Sequence, residues 1–305
     1  MLFLKIYILI LTNINMIDIE EIRQKKPIKE LLEFSIINID KPSGPTSFGV
    51  DKIIKETLNL RKTSHFGTLD PAVTGVLPIA LNRACKLMNY FMQKNKTYVG
   101  IMRTHKETEL KELEKIIKEF TGKISQVPPL KSRVKRQERK RTVFSFKIIE
   151  KNGKDFLFET EVEAGTYIRK LIHDIGLKIG GAHMLELRRT KASIFEEKNS
   201  HMIYEFIEAV EEYKKGNENK LRKMFIPAEI ISKIYNEIQI KKSSIDRLFH
   251  GSPLYQEDLE KSQKMKAKLD DKIAVFNEQN FIGVFKTIDD KRMLAKPEFV
   301  LQPIR

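Results

Sequence analysis

The sequence predicts an α+β protein: a large first domain of hairpins and helices, followed by a small β-rich one. Three observations carry this. In "TVFSFKIIEKNGKDFLFETEVEAGTYI", Phe156, Phe158, Thr160 and Val162 alternate outward from Asn152-Gly153, the preferred dipeptide of a tight hairpin turn. The other strand-like and helix-like stretches do not alternate regularly, which argues against a parallel βαβ sheet. After about residue 225, short strand patterns, "KIAVFNE" and "FIGVFKT", take over.

Taken in order, "FSIINIDKP" reads as a strand leading through the turn "SGPTS" to a helix that Ser47 can cap. Val50, Ile53, Ile54 and Leu58 form the buried stripe of that helix. The basic loop "NLRKTSHFGTLDPAVTG" follows, then a helical pattern through "RACKLMNYFMQ". "KTYVGIMRT" reads as a strand and "ELKELEKIIKEFTGKI" as a helix with early acids and Gly122 at its end. Beyond the hairpin come a helix, "IRKLIHDIGLKIG", a strand, "HMLELRRTKASIF", and helical patterns over about 201–213 and 218–236.

The 305 residues carry 56 Lys and Arg against 41 Asp and Glu, a formal net charge of +15. This excess favours a polyanionic partner through phosphate neutralisation and counterion release. Seven of the eleven residues from Lys131 to Arg141 are basic, next to Pro128-Pro129, which predicts a loop presented from a rigid edge. With Cys85 as the single cysteine, no intrachain disulfide or thiolate zinc site can form, and a reducing, cytosolic setting fits. The histidines show no metal-type pairing. The apolar start "MLFLKIYILILTNIN" is too short to span a bilayer and lacks the features of a secretory signal. Either it packs on the body of the protein or translation starts at Met16. Phosphate-binding and dinucleotide glycine loops, and the G-x-S-x-G elbow, are absent.

In "SHFGTLDPAVTGVLP", Asp70 stands before a proline among small residues, with no charged partner nearby in sequence. Such a carboxylate either forms a turn or is the reactive group of a site. Four segments in order, "DKPSGPTS" (40–47), "HFGTLDPAVTGVLP" (65–78), "KTYVG" (96–100) and "GTYIRKLIHDIG" (165–176), resemble the motifs of the TruB-type RNA pseudouridine synthases. "VPPLKSRVKR" (127–136) and "GAHMLELRRT" (181–190) are similar to the branch that works with box H/ACA guide RNAs. "SSIDRLFHGSPLY" (243–255) resembles the opening of that branch's PUA domain.

The resemblance implies a mixed, largely antiparallel sheet flanked by helices, and three domain bounds: an extension at 1–33, a catalytic domain at 34–224 and a PUA domain at 225–305. It implies that Asp70 is the catalytic carboxylate, that Arg169 pairs with it, and that Tyr98 stacks on the target base. A guanidinium beside the carboxylate would keep it ionised in a dry pocket. Tyr167 and Leu187 match pocket-lining positions, and His65 matches a position that fills the space left by the extruded nucleotide. Lys41 and Pro42 support the Asp70 loop in this reading. Arg61, Lys62, Lys131, Arg133, Lys135, Arg136, Arg188 and Arg189 are candidate phosphate contacts.

Three departures from the family pattern stand out: Ser64 where glycine is usual, Arg133 where a small residue is usual, and no glycine shortly after the paired arginines in "RRTKASIF".

No metal or organic cofactor is expected. The implied partners are a guide RNA, ribosomal RNA and three small accessory proteins, with no membrane and a cytoplasmic setting, nucleolar in a eukaryote. The rival within the same chemistry is a stand-alone enzyme acting on the T-loop uridine of tRNA. From other classes come a non-catalytic RNA-binding or assembly protein, and a PUA-bearing methyltransferase, which lacks its glycine-rich nucleoside loop.

Overall fold

The computed structural model describes residues 17–128, 135–260, 267–290 and 292–303, and the chain divides into two compact units. The larger is Leu32–Phe225. The apolar start, Lys131 and Arg133 lie outside the described residues.

In the larger unit one twisted sheet contains β1 (Ser35–Lys41), β2 (Thr63–His65), β3 (Thr74–Leu81), β4 (Lys96–Thr104), β5 (Gly122–Gln126), β6 (Arg139–Asn152), β7 (Asp155–Val162), β8 (Ala182–Ala192), β9 (Phe195–Glu196) and β10 (His201–Met202). The strand order runs β10-β1-β3-β8-β4-β7-β6-β5, with β2 on β3 and β9 on β8. The β1/β10 and β3/β8 pairs are parallel; the others on this path are antiparallel. The sheet is therefore mixed and largely antiparallel, as the family resemblance implies. The unit also holds helices α1 (Ser47–Thr57), α2 (Leu110–Glu119), α3 (Ile168–Leu177) and α4 (Ile203–Lys214), with shorter helical turns between strands.

The β6–β7 hairpin forms where its local signals put it. Asn152 pairs with Asp155 across a two-residue loop in which Gly153 takes φ +57°, and Phe156, Phe158, Thr160 and Val162 all point inward. The core lies on that face, with Phe146 stacked on Phe158 at 4.9 Å between ring centroids. Cys85 is a buried core residue whose thiol is pushed up to about 11 by desolvation, so it is inert at neutral pH.

Some local expectations are corrected. Thr46, not Ser47, caps α1, its hydroxyl accepting from the Gly49 amide at 2.9 Å; Ser47 is turned inward. The buried stripe of α1 is Ser47, Val50, Asp51 and Ile54. The helix expected over 218–236 ends at Met224, before Pro227, whose missing N–H cannot continue it, and a 3₁₀ turn occupies Ala228–Lys233.

The second unit comprises the N-terminal segment and residues 226–305. Its five-stranded sheet orders Asn236–Gln239, Lys272–Asn277, Asn280–Thr287, Met293–Val300 and Leu254–Tyr255, around a core that includes Ile238, Leu248, Leu254, Val275 and Phe285. Asp258 accepts from the Arg247 guanidinium and from the Tyr255 amide at 2.7 Å, fastening the "SIDRLFHGSPLY" turn. Within this unit the Lys26 ammonium meets the buried Glu229 carboxylate, and the Asp18 amide donates to Gln279. No helix among the described residues is long and apolar enough to cross a membrane.

Candidate active site

The loop between β2 and β3 carries Asp70, and nearly every residue beside it is pinned. Phe66 is buried in an aromatic trio, stacked on Phe91 at 5.0 Å and tilted against Phe195 at 5.8 Å. The Ser47 hydroxyl grips Leu69 twice, accepting from its amide at 2.8 Å and donating to its carbonyl at 3.0 Å. The Lys41 ammonium, fully buried, donates to the carbonyls of Pro42, Pro71 and Val73 at 2.8, 3.0 and 2.8 Å. The Gly44 amide adds a bond to the Pro71 carbonyl at 3.0 Å. Pro42 itself is exposed. The loop is thus preorganised by groups other than Asp70.

Asp70 itself reaches outward. Its Oδ2 accepts from Arg169 Nη2 at 2.7 Å, across 99 residues of sequence. Arg169 lies in the first turn of α3, and the start of that helix is held from outside. The Gln126 side chain accepts from the Tyr167 amide at 3.0 Å and donates to the Tyr167 carbonyl at 3.2 Å. Ser47 and Gln126 are positioning groups that sequence reasoning missed. Ser47 lies inside a quoted motif but was assigned to the helix cap; nothing local marks Gln126.

The dry pocket expected around the ion pair is corrected: the side chains of Asp70 and Arg169 are 56% and 63% exposed. With both groups in water the pair has little energetic weight in the free protein, on the order of 0.2–1 kcal/mol. A polymer laid over it would lower the local dielectric and strengthen the coupling several-fold.

Behind this loop three adjacent strands set a row. Gly75 of β3 and Tyr98 of β4 both lie opposite Arg189 of β8. Tyr98 is largely buried, as is Leu187, two residues before Arg189 on the same face of β8. Gly75 has φ +100°, and a Cβ there would sit 2.2 Å from the Arg189 carbonyl oxygen, so only glycine allows this strand contact.

The expectation that Arg189 contacts phosphate is corrected. It is 1% exposed, its Nε donating to the Val76 carbonyl at 2.8 Å and its Nη2 to the Gly67 carbonyl at 2.9 Å. Desolvation pulls its guanidinium below the ordinary arginine range, and the proximity of Tyr98 acts in the opposite sense. Lys96 is buried nearby, its ammonium donating to the carbonyls of Met92 and Lys94. Desolvation first, and the Arg189 charge second, lower it to about 8.

Arg188 faces the other way and is engaged by two carboxylates. It makes a two-pronged contact to Asp40 at 2.9 and 2.8 Å and a bond to Glu197 at 2.5 Å, so its positive charge is locally neutralised. His65, on β2, is half-buried, with Nδ1 2.5 Å from Asp51 Oδ2 and Nε2 3.0 Å from Thr68 Oγ1. Asp51 is a further residue missed, although an acid on the apolar stripe of α1 is a signal for a buried partner.

Lys62, Lys135 and Arg136 are exposed; Arg61 is exposed and paired with Glu33 at 2.6 Å. Among the described residues no group of three or more His, Cys, Asp or Glu could hold a metal ion.

The mixed sheet thus presents an outward Asp–Arg pair, joined across two elements, on a pinned loop. The family model described as "TruB family pseudouridylate synthase (N terminal domain)" matches residues 55–168, and "tRNA pseudouridylate synthase B C-terminal domain" matches 169–232. Two relatives named "Probable tRNA pseudouridine synthase B" are similar. One, from Nanoarchaeum equitans, is 46% identical over 75% of this chain and 66% of its own length. The other, from Methanocaldococcus jannaschii, is 41% identical over 79% and 72%.

Among solved structures, a Cbf5-Nop10-Gar1 complex includes a chain with TM-score 0.84 and 36% identity, covering 92% of this chain and 89% of that one. An H/ACA RNP bound to a substrate RNA containing 2′-deoxyuridine gives TM-score 0.83 and 34% identity, covering 92% and 89%. The chain belongs to the TruB family of pseudouridine synthases and is an RNA isomerase.

Proposed function

We propose that this chain converts uridine to pseudouridine with Asp70 as the catalytic carboxylate, as the catalytic subunit of a box H/ACA ribonucleoprotein acting on ribosomal RNA. The observation that carries the site reading is the Asp70–Arg169 contact of 2.7 Å, made by an outward carboxylate on a loop that other residues hold still.

The reaction breaks the C1′–N1 bond and forms C1′–C5; the C5 proton leaves and N1 gains one. Positive charge develops at C1′ as the first bond breaks, and an ionised carboxylate meets that charge. The logic is that of the carboxylate facing an oxocarbenium-like centre in glycosidases. Arg169 holds the Asp70 carboxylate in place, and the pair couples more strongly once bound RNA excludes water from it. Tyr98 supports the uracil face while the detached ring turns to present C5, with Tyr167 and Leu187 lining the pocket. His65 occupies the place vacated by the flipped nucleotide, for which it must exchange its Asp51 and Thr68 contacts. Lys62, Lys135 and Arg136, together with Lys131 and Arg133, track the phosphates.

The guide-dependent role is supported by the likeness to chains solved in H/ACA assemblies, whose partners include Nop10, Gar1 and RNA. In this reading accessory proteins complete the particle and the β-rich unit is a PUA domain that grips the guide. A second reading, a stand-alone tRNA enzyme, is favoured by the names of the similar archaeal relatives. Purified full-length protein assayed alone on a tRNA transcript, and with guide and accessory proteins on a guide-matched target, separates them. Turnover confined to the guided reaction is expected; turnover of tRNA alone at the same rate overturns the guided role.

A further inference from the structure

We infer that Asp51 is a positioning residue that sets how readily a nucleotide enters the site: it holds the His65 imidazole inside the protein, and RNA must break that hold. The inference rests on the assignment of His65 to the place vacated by the flipped nucleotide.

Geometry is the first support. His65 Nδ1 lies 2.5 Å from Asp51 Oδ2, and an ionised carboxylate only accepts, so Nδ1 carries a hydrogen. Nε2 lies 3.0 Å from the Thr68 hydroxyl oxygen. Both ring nitrogens are thus engaged within the protein, and the side chain is only 18% exposed. An imidazole held this way cannot enter a nucleotide stack without giving up both partners. Asp51 cannot follow it, because its helix is fastened. Ser47, one turn earlier on the same face of α1, binds Leu69 twice, and the Asp51 carbonyl accepts from the Thr63 hydroxyl of β2 at 3.2 Å.

Burial is the second support. Asp51 shares the buried stripe of α1 with Val50 and Ile54, and its side chain is 10% exposed. Its Oδ1 is buried without a hydrogen-bond partner, so the bond from His65 is what offsets the desolvation of this carboxylate. An aliphatic side chain would pack at this position at lower cost. What it could not do is restrain the imidazole. When His65 leaves, the carboxylate stays behind buried and unpaired, which is more unfavourable than losing a bond at the surface. Thr68 is exposed, and water can replace its partner. The hold on His65 therefore lies mainly with Asp51. It opposes capture of the nucleotide and is already spent when chemistry begins.

The test is a double-mutant cycle in the full chain, in whichever assembly supports wild-type turnover, with two readouts. One is single-turnover tritium release from RNA tritiated at the uridine C5. The other is the fluorescence of 2-aminopurine placed beside the target uridine, which rises when its neighbour leaves the stack. Asp51→Val is expected to lower the half-saturating RNA concentration about fivefold in both, with release at saturation within about twofold of wild type. Asp51→Asn, which keeps a neutral acceptor, should fall between the two. In a His65→Ala background Asp51→Val should shift half-saturation by less than about twofold, because the group it restrains is gone. A fall of less than about twofold with His65 present, or a rise, overturns the proposal, as does an equal shift in both backgrounds. A His65→Ala protein that matches wild type in both readouts removes the His65 assignment, and the proposal with it. A wild-type fluorescence rise without tritium release would overturn the proposed reaction alone, and fluorescence then decides the Asp51 comparison. Should Asp51→Val not fold, Asp51→Asn must lower half-saturation at least about twofold. If neither folds, Asp51 is a structural residue and the proposal fails.

Discussion

Replacing Asp70 by asparagine separates two readings of that carboxylate, because geometry assigns them opposite signatures. Both members of the Asp70–Arg169 pair are more than half exposed, so their attraction is screened by water and contributes on the order of 0.2–1 kcal/mol. The neighbouring backbone is held by Ser47, Lys41, Gly44 and Phe66, none of which uses the carboxylate. Asparagine is nearly isosteric. The midpoint of thermal unfolding should therefore move by no more than about 3 °C. Catalysis should respond on a different scale. Removing a preorganised group that meets developing charge costs about 10²–10³ in rate, and loss of a nucleophile costs more. The assay is single-turnover tritium release from [5-³H]uridine RNA, paired with thermal unfolding of the same preparations. A variant within tenfold of wild type, or one destabilised by more than about 8 °C, would refute the reasoning, the second outcome making Asp70 a turn residue.

Other consequences follow from single side chains. Lys41→Met strips the donor from three carbonyls, at least one of them deeply buried, and is expected to destabilise by about 3–5 kcal/mol in urea unfolding; a loss under 1 kcal/mol would contradict the observed bonds. Lys96, lowered from 10.5 to about 8, binds its proton more weakly folded than unfolded. Between about pH 8 and 10.5 the unfolded chain thus holds more of that proton, and stability from this group rises with pH. Wild type should gain about 2 kcal/mol over Lys96→Met between about pH 8 and 10, measured by urea unfolding, and a flat difference would rule this out. Gly75→Ala places a Cβ 2.2 Å from a backbone oxygen at φ +100° and should lose about 3 kcal/mol or more, or fail to fold. Lys62→Ala, Lys135→Ala and Arg136→Ala should each reduce the salt slope of RNA binding by about one, without changing unfolding; an unchanged slope would remove that residue from the phosphate track.

How far the sequence could be read depended on whether a signal was local. The β6–β7 hairpin was legible because its turn glycine and its period-two apolar face lie within a dozen residues. Two of the five strands of the β-rich unit, Lys272–Asn277 and Asn280–Thr287, were legible from equally local apolar runs. Asp70 and Arg169 were found only through family resemblance, since no spacing rule brings residues 99 apart into contact. Ser47 was misassigned because Thr46 and Ser47 both suit a cap; which hydroxyl caps depends on where the chain enters α1. The paired arginines show a different failure. Composition makes Arg188 and Arg189 equivalent, but a strand sends neighbours to opposite faces. Leu187 was already assigned to the pocket wall, so Arg189, two residues on, had to share its face and Arg188 could not. Applying the strand period would have separated them.

That correction changes how the charge of this protein is organised. Lys41, Lys96 and Arg189 are each at most 6% exposed, and all three donate to backbone carbonyls. Carbonyl dipoles satisfy their hydrogens without neutralising their charge, so the protein keeps net positive charge beside the loop that carries Asp70. Each of these cations is pulled downward by desolvation, and the Asp70 charge acts on Lys41 in the opposite direction. An array like this is unfavourable for folding compared with apolar packing. Its benefit appears only when an anion is present, and under the proposed function there are two: the Asp70 carboxylate and a bound RNA. The surface lysines act over a Debye length and fade with salt, whereas buried cations are screened little and act at any ionic strength. Salt should therefore weaken capture of RNA far more than it slows the bond exchange once RNA is bound.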